Sequence, residues 1–123
     1  MIKTISIRGA ITVQENSIES ILDGTKELLT EIEKQNNLDR EKVISIVFSC
    51  TNDLDKVYPA KAARDLGYIY AGLMCFNEMN VEGSLRKCIR VMIIYNSDIS
   101  QKDVKHIYLR DAKVLRPDLL NNP

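Results

Sequence analysis

An arginine lies inside the clearest strand-like run of this chain. Arg90 follows Cys88 and Ile89 and precedes Val91, Met92, Ile93 and Ile94. Side chains alternate between the two faces of a strand, so Arg90 shares a face with Cys88, Met92 and Ile94. A buried guanidinium is expensive unless it is paired. Arg90 therefore points to solvent, meets a carboxylate of the protein or faces an anionic ligand. Arg8, Lys61, Arg64 and Arg116 add cations at element ends or in short helices, and Glu78 follows Cys75 closely. Singly, such charges are usually solvated. Converging, they would hold a small polyanion, because arginine grips carboxylates bidentately. Spacing alone does not bring them together.

Other catalytic constellations are missing. The one histidine, His106, has no serine or cysteine partner nearby in sequence, as a nucleophile–base pair would need. It reads as a surface or edge-strand residue. No glycine-rich phosphate loop, dinucleotide fingerprint or metal-ligand spacing occurs. The three cysteines, Cys50, Cys75 and Cys88, are odd in number and form no C-x-x-C pair. That argues against a disulfide framework and a zinc site. Lys plus Arg is 17 and Asp plus Glu is 17, a balance that argues against nucleic acid as a partner. The first residues do not form a signal h-region, and no apolar run approaches a membrane span. The default expectation is a cytoplasmic, reducing location with no membrane partner.

The elements that must position these residues follow from periodicity. A length of 123 residues suits one domain with one core. Ile5 and Ile7 alternate with Thr4, Ser6 and Arg8, the period of a half-buried strand, and Gly9 could mark a bulge. Asn16 with Glu19 suggests a capping box opening a helix over about 17–35. Its stripe is Ile18, Ile21, Leu22, Leu28, Leu29 and Ile32. Gly24 inside it costs on the order of 1 kcal/mol relative to alanine. Residues 43–50 read as a buried strand. Pro59 and Gly67 bracket a short helix. Strands are predicted over 68–76, 88–95 and 104–109, with a turn at Gly83-Ser84. Residues 114–120 form a tail that Pro117 keeps from being helical. The order suggests an α/β or α+β domain, a mixed sheet with one long and one short helix.

Five segments together make the chain recognisable. They are Ile7-Arg8-Gly9-Ala10 with Thr12-Val13; Tyr58-Pro59-Ala60-Lys61-Ala62 with Arg64; Cys75 with Glu78-Met79; Leu85 through Met92; and His106-Ile107-Tyr108-Leu109 with Val114 through Leu119. No single piece is specific, but they run in one collinear order over nearly the whole chain. The sequence resembles the monofunctional chorismate mutases of the trimeric pseudo-α/β-barrel class, a fold related to the ferredoxin-like one.

The resemblance implies a Claisen rearrangement of chorismate to prephenate, with no cofactor and no metal. It implies Arg90 as the principal catalytic residue, donating to the ether oxygen. Arg8 and Tyr108 match groups that hold a substrate carboxylate. Glu78 matches the acid that accepts the substrate hydroxyl, with Cys75 beside it. Tyr58, Ala60, Leu115 and Arg116 match positions that close the pocket, and Lys61 and Arg64 add charge at its mouth. Leu73-Met74 departs from a smaller, more polar pair, and the segment after Pro117 (about 117–123, a flexible tail) is short. A homotrimer with active sites between subunits is also implied. Two other readings stay open here: an imine or enamine deaminase of the Rid type, and a non-catalytic trimer that binds a small carboxylate.

Overall fold

The computed structural model describes residues 1–117. Its elements are β1 (Lys3–Thr12), α1 (Ile18–Asn36), β2 (Val43–Cys50), α2 (Ala60–Leu66), β3 (Gly72–Asn77), β4 (Cys88–Ser97) and β5 (Ile107–Leu109), with 3₁₀ turns at Arg40–Lys42, Gln101–Asp103 and Arg110–Leu115. The strands make one five-stranded mixed sheet in the order β3-β2-β4-β1-β5. β4 runs antiparallel to both β1 and β2, while β2–β3 and β1–β5 are parallel pairs. Arg90 thus lies on the central strand, where both neighbours fix its backbone.

The two faces of the sheet differ. Ile5, Ile7, Ile11, Ile46, Phe48, Ile89, Val91 and Ile93 form the core face. Against it pack Ile21, Leu28, Leu29 and Ile32 of α1 and Ala60 and Ala63 of α2. Burying each large aliphatic contributes on the order of 2 kcal/mol. The alternate residues face the other way, and there Val47, Met74, Phe76 and Met92 stay exposed. The strand over residues 43–50 is therefore buried on one face only, not on both.

Local chemistry sets the ends of α1. Ser17, not Asn16, is the N-cap, accepting a 3.1 Å bond from the Ser20 amide. Asn16 instead ties the 54–59 loop, exchanging hydrogen bonds with the Asp55 side chain and amide. Asn37 closes the helix in the left-handed region, its N–H bonding the Glu33 carbonyl. Ile18 is exposed and Leu22 half-buried, and the buried stripe runs through Gly24 and Thr25 instead. A side chain at Gly24 would collide with Val13, so the helix tolerates its propensity cost for close packing.

Other expectations are corrected. Gly9 makes no bulge: the β1–β4 register runs unbroken through Gly9 opposite Val91. The irregularity falls in β2, between Val43 and Ser45. β3 begins at Gly72 rather than Tyr68, because Tyr68 turns inward after Gly67 and its hydroxyl bonds Glu33 at 2.5 Å. β5 is only three residues long. The tail expected to be non-helical starts at Val114, yet Val114 and Leu115 close a 3₁₀ turn over Arg110–Leu115 and Pro117 itself is helical, since proline's fixed φ suits a helical residue whose N–H need not donate. The rest of that tail lies outside the described residues.

Gly9 is needed for a close approach. A Cβ there would sit 2.8 Å from the Ile107 carbonyl oxygen and 3.0 Å from Ile32 Cδ1. Gly9→Ala should destabilise the chain by about 1–3 kcal/mol, the range for overpacking, and loosen β5 from β1. Urea unfolding measures this. An unchanged midpoint would show that the β1–β5 contact has slack.

Candidate active site

The strand register writes two rows across the open face. One row runs Phe76, Ser49, Arg90, Ala10 and Tyr108, each opposite the next. The adjoining row runs Met74, Val47, Met92 and Arg8. Arg8, Ser49, Val47, Arg90, Met92 and Tyr108 line a groove of about 220 Å³. At one end, Ala10, Cys88, Tyr108 and Ala112 form a small buried cluster, with Leu85 and Leu115 packed on it. The 3₁₀ turn over residues 110–115 thereby covers the Tyr108 ring.

Glu78 reaches two of the groove residues, Ser49 and Arg90. It follows the end of β3, and its amide donates to the Cys50 carbonyl at 2.8 Å. The Ser49 hydroxyl donates to Glu78 Oε1 at 2.6 Å, and Arg90 Nη1 meets Oε2 at 3.3 Å. The Arg90 side chain remains 42% exposed. A partly solvated pair of this kind contributes about 1 kcal/mol or less. Arg90 is therefore paired but not committed, and an anionic ligand can compete for it.

The surrounding loops hold the start of β4. Asp53 accepts the Lys87 amide with both oxygens, at 3.1 and 3.0 Å, and the Thr51 hydroxyl at 2.6 Å. Burial would raise the Asp53 carboxyl, but these bonds and nearby Arg86 hold it below its ordinary value. Thr51 Oγ1 also accepts the Cys88 amide at 3.0 Å. His106 sits just before the edge strand β5, and its Nδ1 accepts the Arg8 amide at 2.9 Å. That bond requires a neutral imidazole. Burial, and then the charges of Arg8 and Arg116, push His106 below its usual pKa.

A second recess, about 560 Å³, is lined by Cys50, Leu54, Val57, Tyr58, Cys75 and Phe76, among others. Cys75 lies opposite Phe48 on the core side of β3, away from the face that carries Arg90. Burial raises its thiol, opposed by a hydrogen bond with the Ala60 backbone and by Arg64. Burial pushes Cys50 to about 12 and Cys88 to about 11. All three thiols stay protonated near neutrality, so none is a thiolate nucleophile. Among the described residues, no group of three His, Cys, Asp or Glu side chains is placed to hold a metal ion.

The sequence matches the family description "Chorismate mutase type I" over residues 4–119. The chorismate mutase AroH of Bacillus subtilis is 46% identical over 114 residues, covering 92% of this chain and 90% of the relative. The AroH of Thermus thermophilus is 43% identical, covering 92% and 93%. A solved chorismate mutase from Clostridium thermocellum superposes with a TM-score of 0.87 at 50% identity, over 89% of this chain and 97% of that one. The chain belongs to the type I chorismate mutase family. Its activity is accordingly that of a chorismate mutase, an isomerase.

Within this family member the sequence-derived residues fall into two groups. Arg8, Arg90 and Tyr108 line the groove, Glu78 joins them through its contact with Arg90, and Leu115 packs in the cluster that holds Tyr108. Tyr58 and Cys75 line the other recess, and Ala60 is buried at the start of α2. Lys61 and Arg64 are exposed on that helix, Lys61 pairing with Asp65 at 3.4 Å. Leu73 faces the core, and Met74 stands on the open face beside Val47. Arg116 lies within electrostatic reach of His106, while Asp118 and Leu119 lie outside the described residues. One chain does not bring the two groups together.

Ser49, Thr51 and Asp53 were not singled out in the sequence. Ser49 had a usable signal: alternation from the buried Phe48 puts it on the face opposite the core. No comparable signal marks Thr51 and Asp53, whose loop partners are 34–37 residues away.

The lowered His106 value fixes a sign. The unfolded histidine titrates near about 6.5, above the folded value, so the unfolded state takes up the proton first. The stabilisation is complete above about pH 6.5 and is lost as pH falls through the folded value. The melting temperature should therefore drop between pH 7.5 and 5.5, and His106→Asn should flatten that drop. An equal slope in both proteins would contradict the assignment.

Proposed function

We propose that this chain rearranges chorismate to prephenate in the cytoplasm without a cofactor, using Arg90 as the electrostatic catalyst. One domain carries the reaction. Chorismate presents two carboxylates, a ring hydroxyl and the ether oxygen whose C–O bond breaks. That bond breaks ahead of C–C bond formation, so negative charge grows on the ether oxygen. No nucleophile or general base is needed. The protein has to hold a compact conformer and meet the growing charge with a placed donor.

The observation that carries this reading is the weakly paired Arg90 in a groove shared with Arg8 and Tyr108. Arg90 donates to the ether oxygen and a carboxylate. A fixed cation at a charge that grows only along the reaction favours the transition state over the ground state. Arg8 and Tyr108 hold a carboxylate, and Glu78 accepts the ring hydroxyl through the oxygen that meets Arg90.

The working enzyme is a homotrimer. Val47, Met74, Phe76 and Met92 leave an apolar patch on the open sheet face, of the kind that marks an interface. Association brings the Arg90 groove of one subunit to the Tyr58–Cys75 recess of the next. Tyr58, Ala60, Leu73, Met74, Leu115 and Arg116 then close the pocket, Cys75 lies beside the substrate as a thiol, and Lys61 and Arg64 add positive charge at the mouth.

The test is loss of chorismate absorbance with purified protein and no added metal or cofactor. Prephenate is the expected product. Arg90→Ala should fold normally and lose ~10² or more in turnover, the usual effect of removing such a donor. Retention of more than about a tenth of the activity, against that expected loss, would overturn the role of Arg90. No turnover by the folded wild-type chain would leave a binding module or a deaminase.

A further inference from the structure

We propose that Ser49 is a positioning residue for the reaction: its hydroxyl holds one oxygen of the Glu78 carboxylate, so that Glu78 meets Arg90 through the other oxygen alone. This inference rests on the activity proposed above for the Arg90 groove.

Three observations converge on it. Ser49 is the residue directly opposite Arg90 on β2. Its hydroxyl lies 2.6 Å from Glu78 Oε1, a short, charge-assisted bond. The Glu78 backbone is tied to the Cys50 carbonyl next door, at 2.8 Å. Glu78 is thus held at its main chain by Cys50 and at one carboxylate oxygen by Ser49. In that orientation Arg90 meets Oε2, at 3.3 Å.

The consequence concerns competition. A guanidinium and a free carboxylate prefer a two-pronged pair, which is stronger and more rigid than a single contact. If Glu78 could turn, it would clamp Arg90 in that way. Arg90 would then have to break a bidentate pair before serving the ether oxygen. Anchoring Oε1 at Ser49 fixes how the carboxylate is turned, and in that orientation its contact with Arg90 is the single one through Oε2. The same bond fixes where Oε2 lies to accept a substrate hydroxyl. Ser49 acts through Glu78 and need not touch substrate itself.

The experiment is steady-state turnover of chorismate by the full chain, with circular dichroism as the fold control. Ser49→Ala should lower kcat about tenfold, the effect of losing a hydrogen bond to a charged group. Ser49→Thr, which keeps the hydroxyl, should recover most of that loss. Because Ser49 works through Glu78, the double variant Ser49→Ala with Glu78→Ala should be no slower than Glu78→Ala alone. A purely structural serine would give losses that multiply.

Multiplying losses, a threonine variant no better than alanine, or Ser49→Ala within about twofold of wild type against the expected tenfold would each overturn the role. An unfolded Ser49→Ala chain would assign the hydroxyl to stability and overturn it too. Wild-type turnover with an unaffected Ser49→Ala variant would sink the positioning role alone. An inactive wild-type chain would sink the proposed activity and this role together.

Discussion

Arg90 meets Glu78 at 3.3 Å on a sheet face that the helices do not cover, and the arrangement of the chain serves that contact. A fully buried pair would be costly to desolvate and costly to break. A fully solvated one would leave Arg90 without a fixed position. The groove sets an intermediate case. β4 is bonded on both sides, so the backbone under Arg90 cannot shift. Asp53 and Thr51 pin the entry to that strand through the Lys87 and Cys88 amides. The strand is therefore rigid while the guanidinium stays available.

The same asymmetry divides stability from chemistry. The helix-covered face carries the aliphatic core, which pays for order in the sheet. The opposite face carries the cations, the tyrosine and an exposed apolar band. Arg8 and Arg90 also lie on adjacent strands, Arg8 opposite Met92 and Arg90 opposite Ala10, and both line one groove.

Much of the fold was legible because period-2 and period-3.6 patterns are local. β1, β4, α1 and α2 follow from alternation, stripes and the Pro59–Gly67 bracket. Failures arose where tertiary contacts decided. Tyr68, Ile69 and Tyr70 look strand-like, but Tyr68 is drawn inward to Glu33. Asn16 looks like a cap, but Asp55 takes its side chain. Ile44 and Val47 made β2 look buried on both faces, because apolar residues on an open face cannot be told from core by composition. Arg90 and its need for a carboxylate partner were readable from an arginine in an apolar run. Glu78 as that partner was not, since the pairing depends on the chain leaving β3 at the end of β2, where the Glu78 amide meets Cys50 and its side chain reaches Arg90 on β4. The separation of the Tyr58–Cys75 group from the Arg90 groove was invisible for the same reason.

The most direct measurement compares two ligands on two proteins by calorimetry. One ligand is a bicyclic ether dicarboxylate that mimics the rearrangement's transition state. The other is a flexible dicarboxylate that mimics the ground state. The proteins are the wild-type chain and Arg90→Met. Electrostatic catalysis by Arg90 requires the bicyclic ether to lose ~10² or more in affinity in the variant, while the flexible dicarboxylate loses far less. Equal losses for both ligands would make Arg90 a substrate-binding group and contradict its role as catalyst.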